Sequence, residues 1–422
     1  MKEPGASVVA PAALGVRAAA LVFAAFAFTY FFSALMRAVT ATLAPVFSSE
    51  LGLTASNLGL LAGAYFFGFA ALQLPLGQAL DRAGPRRVLV SMLALAVFGC
   101  AAFALAQGLT ALIAARMLIG MGVAACLMAP LTCFRRHFSE AAQLRANSWM
   151  LMTGSLGMVA STLPVQMLLP LVGWRGLFWG LAAMLLVAMA LLAWLVPRDP
   201  PAAARAEAAP GAGYGEILRH PLFLRLAPLG FFCYGGLIAV QSLWAGPWLT
   251  RVAGWSPQAA AQGLFAINLA MLFAFMAWGA VMPRLVARGV DPLRLIAWGV
   301  PLSLLLLALA VLRGAEAGAL HWALWCVACS VVSLSQPAVG KVFPLAQAGR
   351  ALSAFNLVIF GGVFCVQWGI GLAVDALGAL GLEEPDAFRA AFAVFGAGGL
   401  LSYLWFMRPS RQTALAPAAP RG

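Results

Sequence analysis

Long uninterrupted runs of apolar residues constrain this chain more than any other feature of its sequence. Many of these runs reach about 20 residues, the length of an α-helix that crosses the hydrocarbon core of a bilayer. Of the 422 residues, 63% are hydrophobic and 9% are charged, whereas soluble domains carry roughly 25% charged residues. A soluble core could not bury so much apolar surface, so the sequence predicts an integral membrane protein that lies in a lipid bilayer.

The pattern within the apolar runs decides between helices and a β-barrel. Backbone groups inside a bilayer must be paired within the protein, which leaves α-helices or closed barrels. Barrel strands are short and alternate apolar with polar residues, whereas the runs here are long and continuous. We therefore predict an all-α polytopic membrane protein. Lys2 and Glu3 lead into the first run without a convincing cleavage site, so we expect a retained first helix and not a signal peptide.

The apolar windows predict about twelve membrane spans. In the first half of the chain they cover 18–46, 55–79, 86–107, 109–134, 146–171 and 175–196. In the second half they cover 223–250, 257–282, 292–313, 318–344, 351–375 and 387–407. Between the halves lies a segment that is rich in Pro, Ala and Gly and holds nearly all of the mid-chain charge, a composition typical of a linker.

The two halves resemble each other in sequence. "FSEAAQLRANS" (Phe138–Ser148) parallels "FPLAQAGRALS" (Phe343–Ser353), with Phe, Arg, Ala and Ser in the same register. Repeated halves with a site between them are a transporter architecture. We predict an N-terminal six-helix half over 1–196, a cytoplasmic linker over 197–221, a C-terminal six-helix half over 222–408 and a cytoplasmic tail over 409–422.

The net charge of +13 follows the predicted loops. Most arginines fall on one side of the predicted membrane, whereas the other side keeps only Arg175, Arg251, Arg313 and Arg389, together with acidic residues such as Glu50. Short cytoplasmic loops carry an excess of Lys and Arg, so we expect both termini to be cytoplasmic and the protein to be a multi-pass component of a bacterial inner membrane. No basic stretch is interleaved with stacking aromatic residues, so we expect no nucleic-acid partner.

The residues that carry enzyme chemistry are dispersed. The seven cysteines lie almost wholly within apolar segments, and the three histidines do not cluster with them or with carboxylates. A P-loop and a catalytic triad are both missing from the sequence. We therefore predict no metal site, no cofactor and no enzyme activity, and we expect a monomer.

Four short motifs resemble a known family. "GQALDRAGPRR" (Gly77–Arg87), between the second and third spans, is similar to the signature loop of the major facilitator superfamily, and "ARMLIGMG" (Ala115–Gly122) is similar to its Arg-x-x-x-Gly-x-Gly pattern. "GWRGLF" (Gly173–Phe178) resembles the usual start of the sixth helix. "GAVMPRLVARG" (Gly279–Gly289) resembles a degenerate second copy of the loop, with Pro283 in place of the Asp. The resemblance implies two pseudo-symmetric six-helix bundles and transport by alternating access.

The signature loop contains the candidates for a conformational latch. Its acidic residue lies at the predicted end of a helix, where it could accept charge-assisted hydrogen bonds from Arg or from a neighbouring helix N-terminus. Glycines would allow close helix approach and a turn. The alternative is that the arginines only enforce the topology. The latch candidates are Gly77, Asp81, Arg82, Gly84, Arg86 and Arg87.

Two arginines lie well inside predicted spans, where a charge is costly and is a functional candidate by default. Arg37 lies past the middle of the first span and Arg116 about two turns inside the fourth. Both could instead make structural bonds between helices, and the family resemblance suggests a coupling role for Arg116. No Asp or Glu lies well inside a span, so the arginines favour an anionic substrate that would neutralise them through bidentate hydrogen bonds.

Other polar and aromatic side chains could complete a site near the middle of the membrane, although each could also make an ordinary interhelical hydrogen bond. These further substrate-binding candidates are Tyr30, Tyr65, Gln73, Gln241, Trp244, Asn268, Gln336 and Asn356. "SLWAGPWL" (Ser242–Leu249) contains Gly246 and Pro247, which we expect to break the seventh helix near its outer end.

Taken together, these features predict a secondary active transporter of a small organic anion, with a co-transported proton as one coupling option. Two rivals remain open. One is a drug or metabolite exporter, which should not need Arg37, and the other is a non-transporting membrane sensor built on the same fold.

Overall fold

A computed structural model describes residues 14–198 and 214–408, without the side chains at 81, 140, 141, 144, 345 and 346. Most of the predicted linker and all of the predicted tail lie outside the described residues. Every regular element within the described residues is helical. The helices are α1 (Val16–Leu51), α2 (Ala55–Ala71), α3 (Gln73–Ala83), α4 (Pro85–Leu105), α5 (Leu109–Val123), α6 (Met128–His137), α7 (Glu140–Ala160), α8 (Leu163–Leu195), α9 (Tyr214–Arg219), α10 (Pro221–Val252), α11 (Pro257–Ala287), α12 (Pro292–Arg313), α13 (Ala319–Val342), α14 (Leu345–Ala379) and α15 (Glu384–Met407).

The helix lengths fit the predicted spans. Among the described residues, 10 helices are long and apolar enough to cross a membrane, or up to 11 if the bent pair of α2 and α3 is one span. The non-helical Gly173 (φ 63°) divides α8 into two helices. The part of α8 before Gly173 continues α7 as the predicted fifth span, and the part after it is the sixth. The all-α polytopic fold class is confirmed, and twelve crossings fit it.

Prolines place the breaks in three of the spans. A proline in a helix removes one hydrogen bond and crowds the carbonyl four residues earlier. Pro75 lies four residues after Ala71, the last residue of α2. It therefore has this spacing from the 42° bend between α2 and α3. Pro130 likewise follows the irregular turn at 124–127, and Pro337 follows the 3₁₀ turn Ser330–Leu334 inside α13. These three breaks thus coincide with prolines, whereas Pro45, Pro283 and Pro301 lie inside continuous helices. A proline therefore favours a break but does not by itself impose one.

The seventh predicted span is not broken at the place where a break was expected. Gly246 and Pro247 do not break it, because α10 continues through both residues to Val252. Wider π turns at Val240–Trp244 and Trp248–Val252 flank the pair and can absorb the backbone bond that Pro lacks. Gly246 instead permits contact with α1, since a Cβ there would lie 2.7 Å from the carbonyl oxygen of Ala41.

The helices pack within each half and across the two halves. In the first half, α1 packs on α7 and α8, α2 on α5, and α4 on α5 and α8. In the second half, α12 packs on α13 and α15, and α14 packs on α15 and α10. Across the halves, α2 and α3 contact α14, α7 contacts α11, and α1 contacts α10. These cross-half pairs surround the centre of the molecule.

Glycines of the ARMLIGMG motif set the packing of the first half. A Cβ at Gly120 would lie 1.9 Å from the carbonyl oxygen of Tyr65 on α2, and one at Gly122 would lie 2.3 Å from the backbone nitrogen of Ala96 on α4. Helices in a membrane associate closely where such small residues meet. The motif therefore acts as a packing element that holds α5 against α2 and α4.

Candidate functional site

A cavity of about 820 Å³ lies between the two halves. Both halves contribute to its lining. The lining residues come from α1, α2 and its bend, and α5 to α7 in the first half, and from α10, α11, α13 and α14 in the second. On α7, α11 and α13 the lining reaches Ser148, Met282 and Pro337, which lie near the helix ends on the side of the Gly77–Arg87 loop. We call that side the basic end of the molecule. The proline-linked breaks at Gln73, Ala124 and Ser333 also line the cavity, as expected for irregular backbone inside a membrane.

Arg37, a predicted substrate-binding candidate on α1, lies on the cavity wall. Among the described lining residues it is the only charged one. Its Nε atom is buried without a hydrogen-bond partner, and its guanidinium carbon lies 5.9 Å from the centroid of the Phe69 ring. A buried guanidinium that lacks a full set of acceptors is a favourable place for a carboxylate, sulfonate or phosphate group.

Three tyrosines surround Arg37. Its guanidinium interacts with the hydroxyl groups of Tyr30 and Tyr65, and Tyr234 of α10 interacts electrostatically with Tyr30 and Arg37. Tyr30 and Tyr234 line the cavity. Tyr65 is fully buried and donates to the carbonyl oxygen of Ser33 at 3.2 Å, so its role is to support Arg37 from behind.

The predicted amide side chains fall into two groups. Gln73, Gln241, Gln336 and Asn356 line the cavity, whereas Asn268 lies behind it. Gln241 Nε2 donates to Asn268 Oδ1 at 3.0 Å, Gln336 Nε2 donates to Asn356 Oδ1, and Gln73 Nε2 donates to the Phe69 carbonyl at 3.3 Å. Each amide therefore already uses part of its hydrogen-bonding capacity inside the protein.

Arg116 and Trp244, both predicted as substrate-binding candidates, lie away from the cavity wall. Arg116 is 1% exposed and lies between α1, α2 and α4, where its Nη2 donates to the Met36 carbonyl at 3.0 Å and to the Thr40 hydroxyl. Its guanidinium carbon is 5.2 Å from the centroid of the Tyr65 ring. Trp244 is fully buried and its Nε1 donates to the Gln367 carbonyl at 3.1 Å. Both side chains hold helices together in this conformation.

Replacing Arg116 with alanine should destabilise the protein without weakening ligand binding. The change removes two hydrogen bonds and opens a cavity in the first half, which costs on the order of 2 kcal/mol or more. Arg116→Met should lose less, because it refills the space and removes the buried Nε and Nη1 groups that have no partner. Thermal unfolding in detergent, with anion titration, measures both effects. An alanine variant of wild-type stability that no longer bound anions would instead assign Arg116 to the substrate.

The end of the molecule opposite the basic end is closed by α2 and α14. A Cβ at Gly59 would lie 2.3 Å from the Gln367 carbonyl oxygen, and one at Gly371 would lie 2.3 Å from the Ala55 carbonyl oxygen. The Asp375 carboxylate accepts from the backbone N–H of Ala55 at 3.1 Å and of Ser56 at 2.9 Å. These N–H groups belong to the first turn of α2, where a carboxylate is favoured by the helix dipole. The closure thus combines backbone contact with a cap supplied by the other half.

Asp375→Asn should loosen this closure. The asparagine keeps the shape but loses the charge that strengthens two hydrogen bonds, a change of about 1 to 2 kcal/mol. We expect faster hydrogen exchange at the amides of Ala55 and Ser56, by about 5- to 30-fold, measured by mass spectrometry of peptides from the start of α2. Asp386→Asn is the control, because Asp386 is exposed at the same end and pairs with Arg389 at 2.7 Å. Unchanged exchange in the Asp375 variant would show that the cap contributes little.

The latch candidates lie where α3 meets α4. Gly84 makes the turn with φ 80°, and Pro85 begins α4. Arg86 Nη1 donates to the Val196 carbonyl at 3.1 Å and Nη2 donates to the Ala193 carbonyl. Arg86 therefore satisfies carbonyl groups at the C-terminal end of α8, a favourable place for a cation. This contact lies within the first half.

The remaining latch candidates differ in their exposure and in the contacts around them. The side chain of Asp81 lies outside the described residues, and Arg82 and Arg87 are exposed. Arg136 at the end of α6 donates from Nη2 to the Leu80 carbonyl at 3.4 Å. A Cβ at Gly77 would meet no described atom within 4 Å, so the close helix approach expected at Gly77 does not occur in this conformation.

Several cavity residues were not among the predicted candidates. Ser33 lies one turn before Arg37 on the cavity wall, and its hydroxyl is buried without a hydrogen-bond partner, although the weakly polar Cys126 thiol lies beside it. Tyr234, Trp149 and Trp278 also line the cavity. The spacing of Ser33 and Arg37 by four residues places both on one helix face and could have identified Ser33 from the sequence.

A comparison with protein families matches residues 26–364 of this chain to the family described as Major Facilitator Superfamily. The same fold occurs among solved structures. A bacterial homologue of the human lysosomal transporter Spinster, in an inward-facing and unoccupied conformation, superposes with a TM-score of 0.73 at 18% identity and covers 93% of this chain and 97% of its own.

Two curated relatives show more limited similarity. Multidrug resistance protein MdtL of Escherichia coli (strain K12) is 26% identical over 176 residues, which cover 41% of this chain and 44% of MdtL. The probable sulfoacetate transporter SauU of Cupriavidus necator is 25% identical over 239 residues, which cover 53% of this chain and 56% of SauU. The chain thus spans about half the length of these relatives.

Proposed function

This chain belongs to the major facilitator superfamily, and we propose that it is a secondary active transporter of a small organic anion that works by alternating access. The observation that carries the proposal is the arginine on the wall of the central cavity. Arg37 is the one charged residue among the described lining residues, and its Nε has no partner. A positive charge in a membrane cavity is costly unless it is paired, and an anionic substrate supplies the missing pair.

The two-ended architecture supports transport by movement of the halves. The cavity approaches the basic end, whereas α2 and α14 close the opposite end through backbone contacts and the Asp375 cap. Such a state is one of the two that alternating access requires. We propose that 1–196 and 222–408 are the moving halves and that Gly77, Asp81, Arg82, Gly84, Arg86 and Arg87 help to hold them at the basic end in the other state.

The orientation follows from the charge distribution. Short basic loops stay on the cytoplasmic side, so the basic end is proposed to face the cytoplasm of a bacterium, with both termini on that side of the inner membrane. In this orientation the cavity lies toward the cytoplasm, which supports the proposal that this conformation is the one that exchanges substrate with that side. A monomer contains the whole cavity, and a co-transported proton is the proposed coupling ion.

The similarity to SauU also supports an anionic substrate, because sulfoacetate carries sulfonate and carboxylate groups. The similarity to MdtL favours a second candidate function, export of a hydrophobic drug. Large apolar side chains that line the cavity, such as Phe275, Met276 and Phe360, suit such a cargo. A drug cation, however, would lie against the unpaired charge of Arg37, which disfavours this candidate.

Flux into proteoliposomes tests the proposal directly. Purified protein is reconstituted, and the uptake of labelled organic carboxylates and sulfonates is compared with that of a lipophilic cation. We expect uptake of at least one anion that saturates with concentration and that an imposed pH gradient accelerates. Transport of the cation alone would overturn the anion proposal, and specific binding without any flux would favour the sensor.

A further inference from the structure

We propose that the substrate is a monoanion with an apolar body, such as an aryl- or alkyl-substituted monocarboxylate. This inference rests on the proposed function and narrows its substrate class. Sulfoacetate, named for SauU, carries two anionic groups, so on this inference the substrate of this chain differs from that of SauU. It follows from four features of the same cavity: the number of charges, the position of the unpartnered polar groups, the state of the remaining polar side chains, and the large apolar side chains of the rest of the wall.

The charge count sets the charge of the ligand. Arg37 supplies one positive charge, and the other described lining residues supply none. One carboxylate or sulfonate neutralises this charge. A second anionic group on the same ligand would have no cationic partner when the cavity closes around it, and burial of an unpaired charge is strongly disfavoured.

The unpartnered polar atoms show where the anionic group would sit. Arg37 and Ser33 both line the cavity and lie one turn apart on α1. Arg37 Nε has no hydrogen-bond partner, and the Ser33 hydroxyl lies beside the Tyr65 hydroxyl and the Cys126 thiol. The Arg37 guanidinium, with the Ser33 hydroxyl next to it, can donate to the oxygens of one carboxylate. Tyr30 and Tyr234, from the two halves, flank the same place. The anion-binding region is therefore small, lies near the middle of α1 and can contact both halves.

Several of the remaining polar side chains of the cavity are already engaged with the protein. Gln336 bonds to Asn356, and Gln241 bonds to Asn268. Trp278 Nε1 donates to Ser330 Oγ at 2.8 Å. These groups therefore need hydrogen-bond partners from a ligand less than Arg37 and Ser33 do.

Most of the remaining wall is apolar and is formed by large side chains. Its members include Phe69, Met128, Met152, Leu272, Phe275 and Met276. Methionine and aromatic side chains adapt to apolar ligands of different shape. The cavity volume of about 820 Å³ leaves room for such a body beside the carboxylate.

A panel of matched ligands tests the inference by calorimetry on the purified protein. We use 3-phenylpropionate as the apolar monoanion, its amide as the neutral analogue, phenylsuccinate as the dianion with the same ring, and propionate and succinate as anions without the body. We expect 3-phenylpropionate to bind at least tenfold more tightly than each of the other four. Met276→Gln should weaken the binding of 3-phenylpropionate by about threefold or more and leave the affinity for propionate unchanged.

The outcomes separate the inference from the proposed function. If phenylsuccinate or succinate binds as tightly as 3-phenylpropionate, the monoanion inference is wrong and the anion transporter stands. If propionate binds as tightly as 3-phenylpropionate, the inference of an apolar body is wrong, and the anion transporter again stands. If the amide matches the acid, or no carboxylate binds, the anion function fails and this inference fails with it.

Discussion

Arg37→Gln should reduce the affinity for anionic substrates by about 100-fold, because each hydrogen bond between charged partners contributes roughly 1.5 to 3 kcal/mol. Glutamine keeps a polar side chain at the cavity wall but removes the only positive charge among the described lining residues. Uptake of the best anion into proteoliposomes should fall accordingly, and raising the substrate concentration should recover part of it. Binding by calorimetry and initial uptake rates measure the two effects separately.

Two further variants make the Arg37 result interpretable. Arg37→Lys keeps the charge but loses the planar fork, so its affinity should lie between those of the wild type and the glutamine variant. Arg284→Gln is the matched control, since Arg284 is exposed and its Nη1 bonds to Ala280 of its own helix at 3.1 Å. Comparable thermal midpoints would show that all three variants fold. Wild-type affinity for every transported anion in Arg37→Gln would disprove the role assigned to Arg37.

Gly371→Leu should prevent closure of the end opposite the basic end and nearly abolish transport. A Cβ at this position would lie 2.3 Å from the Ala55 carbonyl oxygen, so α2 and α14 would have to separate. Overpacking of this kind costs about 1 to 3 kcal/mol, which shifts a two-state equilibrium by roughly 5- to 150-fold. Because the clash arises only when the halves meet, each half should remain folded.

The separation can be measured as a distance between spin labels. Ser49 and Leu380 are exposed at this end, one in each half. Cysteines at these two positions, on a background in which the exposed Cys365 is alanine, should show a longer distance in Gly371→Leu. Gly369→Leu is the control on the same helix, since a Cβ there would meet no described atom within 4 Å. An unchanged distance distribution in Gly371→Leu would contradict the proposed closure.

The helical fold could be predicted almost completely from local features. Apolar runs of bilayer length predicted the spans, and the prolines account for the breaks at Leu72 and at 124–127. Gly246 and Pro247, however, lie within the continuous α10, and Pro45, Pro283 and Pro301 likewise lie inside continuous helices. A proline's effect on its helix depends on whether neighbouring turns widen to accommodate it, and the sequence of the turn alone does not determine that.

The candidate site could be predicted in composition but not in arrangement. Arg37 and Arg116 were both substrate-binding candidates in sequence, as arginines inside spans of the first half, although the family resemblance also suggested a coupling role for Arg116. The structure places Arg37 on the cavity and buries Arg116 between α1, α2 and α4. Similarly, a Cβ at Gly77 would meet no described atom within 4 Å, whereas one at Gly371 would meet the backbone of the other half.

The sequence by itself therefore determined that this chain is a helical membrane protein of the major facilitator superfamily, because hydrophobicity and short motifs act over a few turns of one helix. Only the tertiary structure decided which arginine faces the cavity, which glycines close one end, and that Asp375 caps α2 across the two halves. The physical reason is that a residue on a helix can face lipid, a neighbouring helix or a cavity, and only the packing of helices distant in sequence selects among these environments.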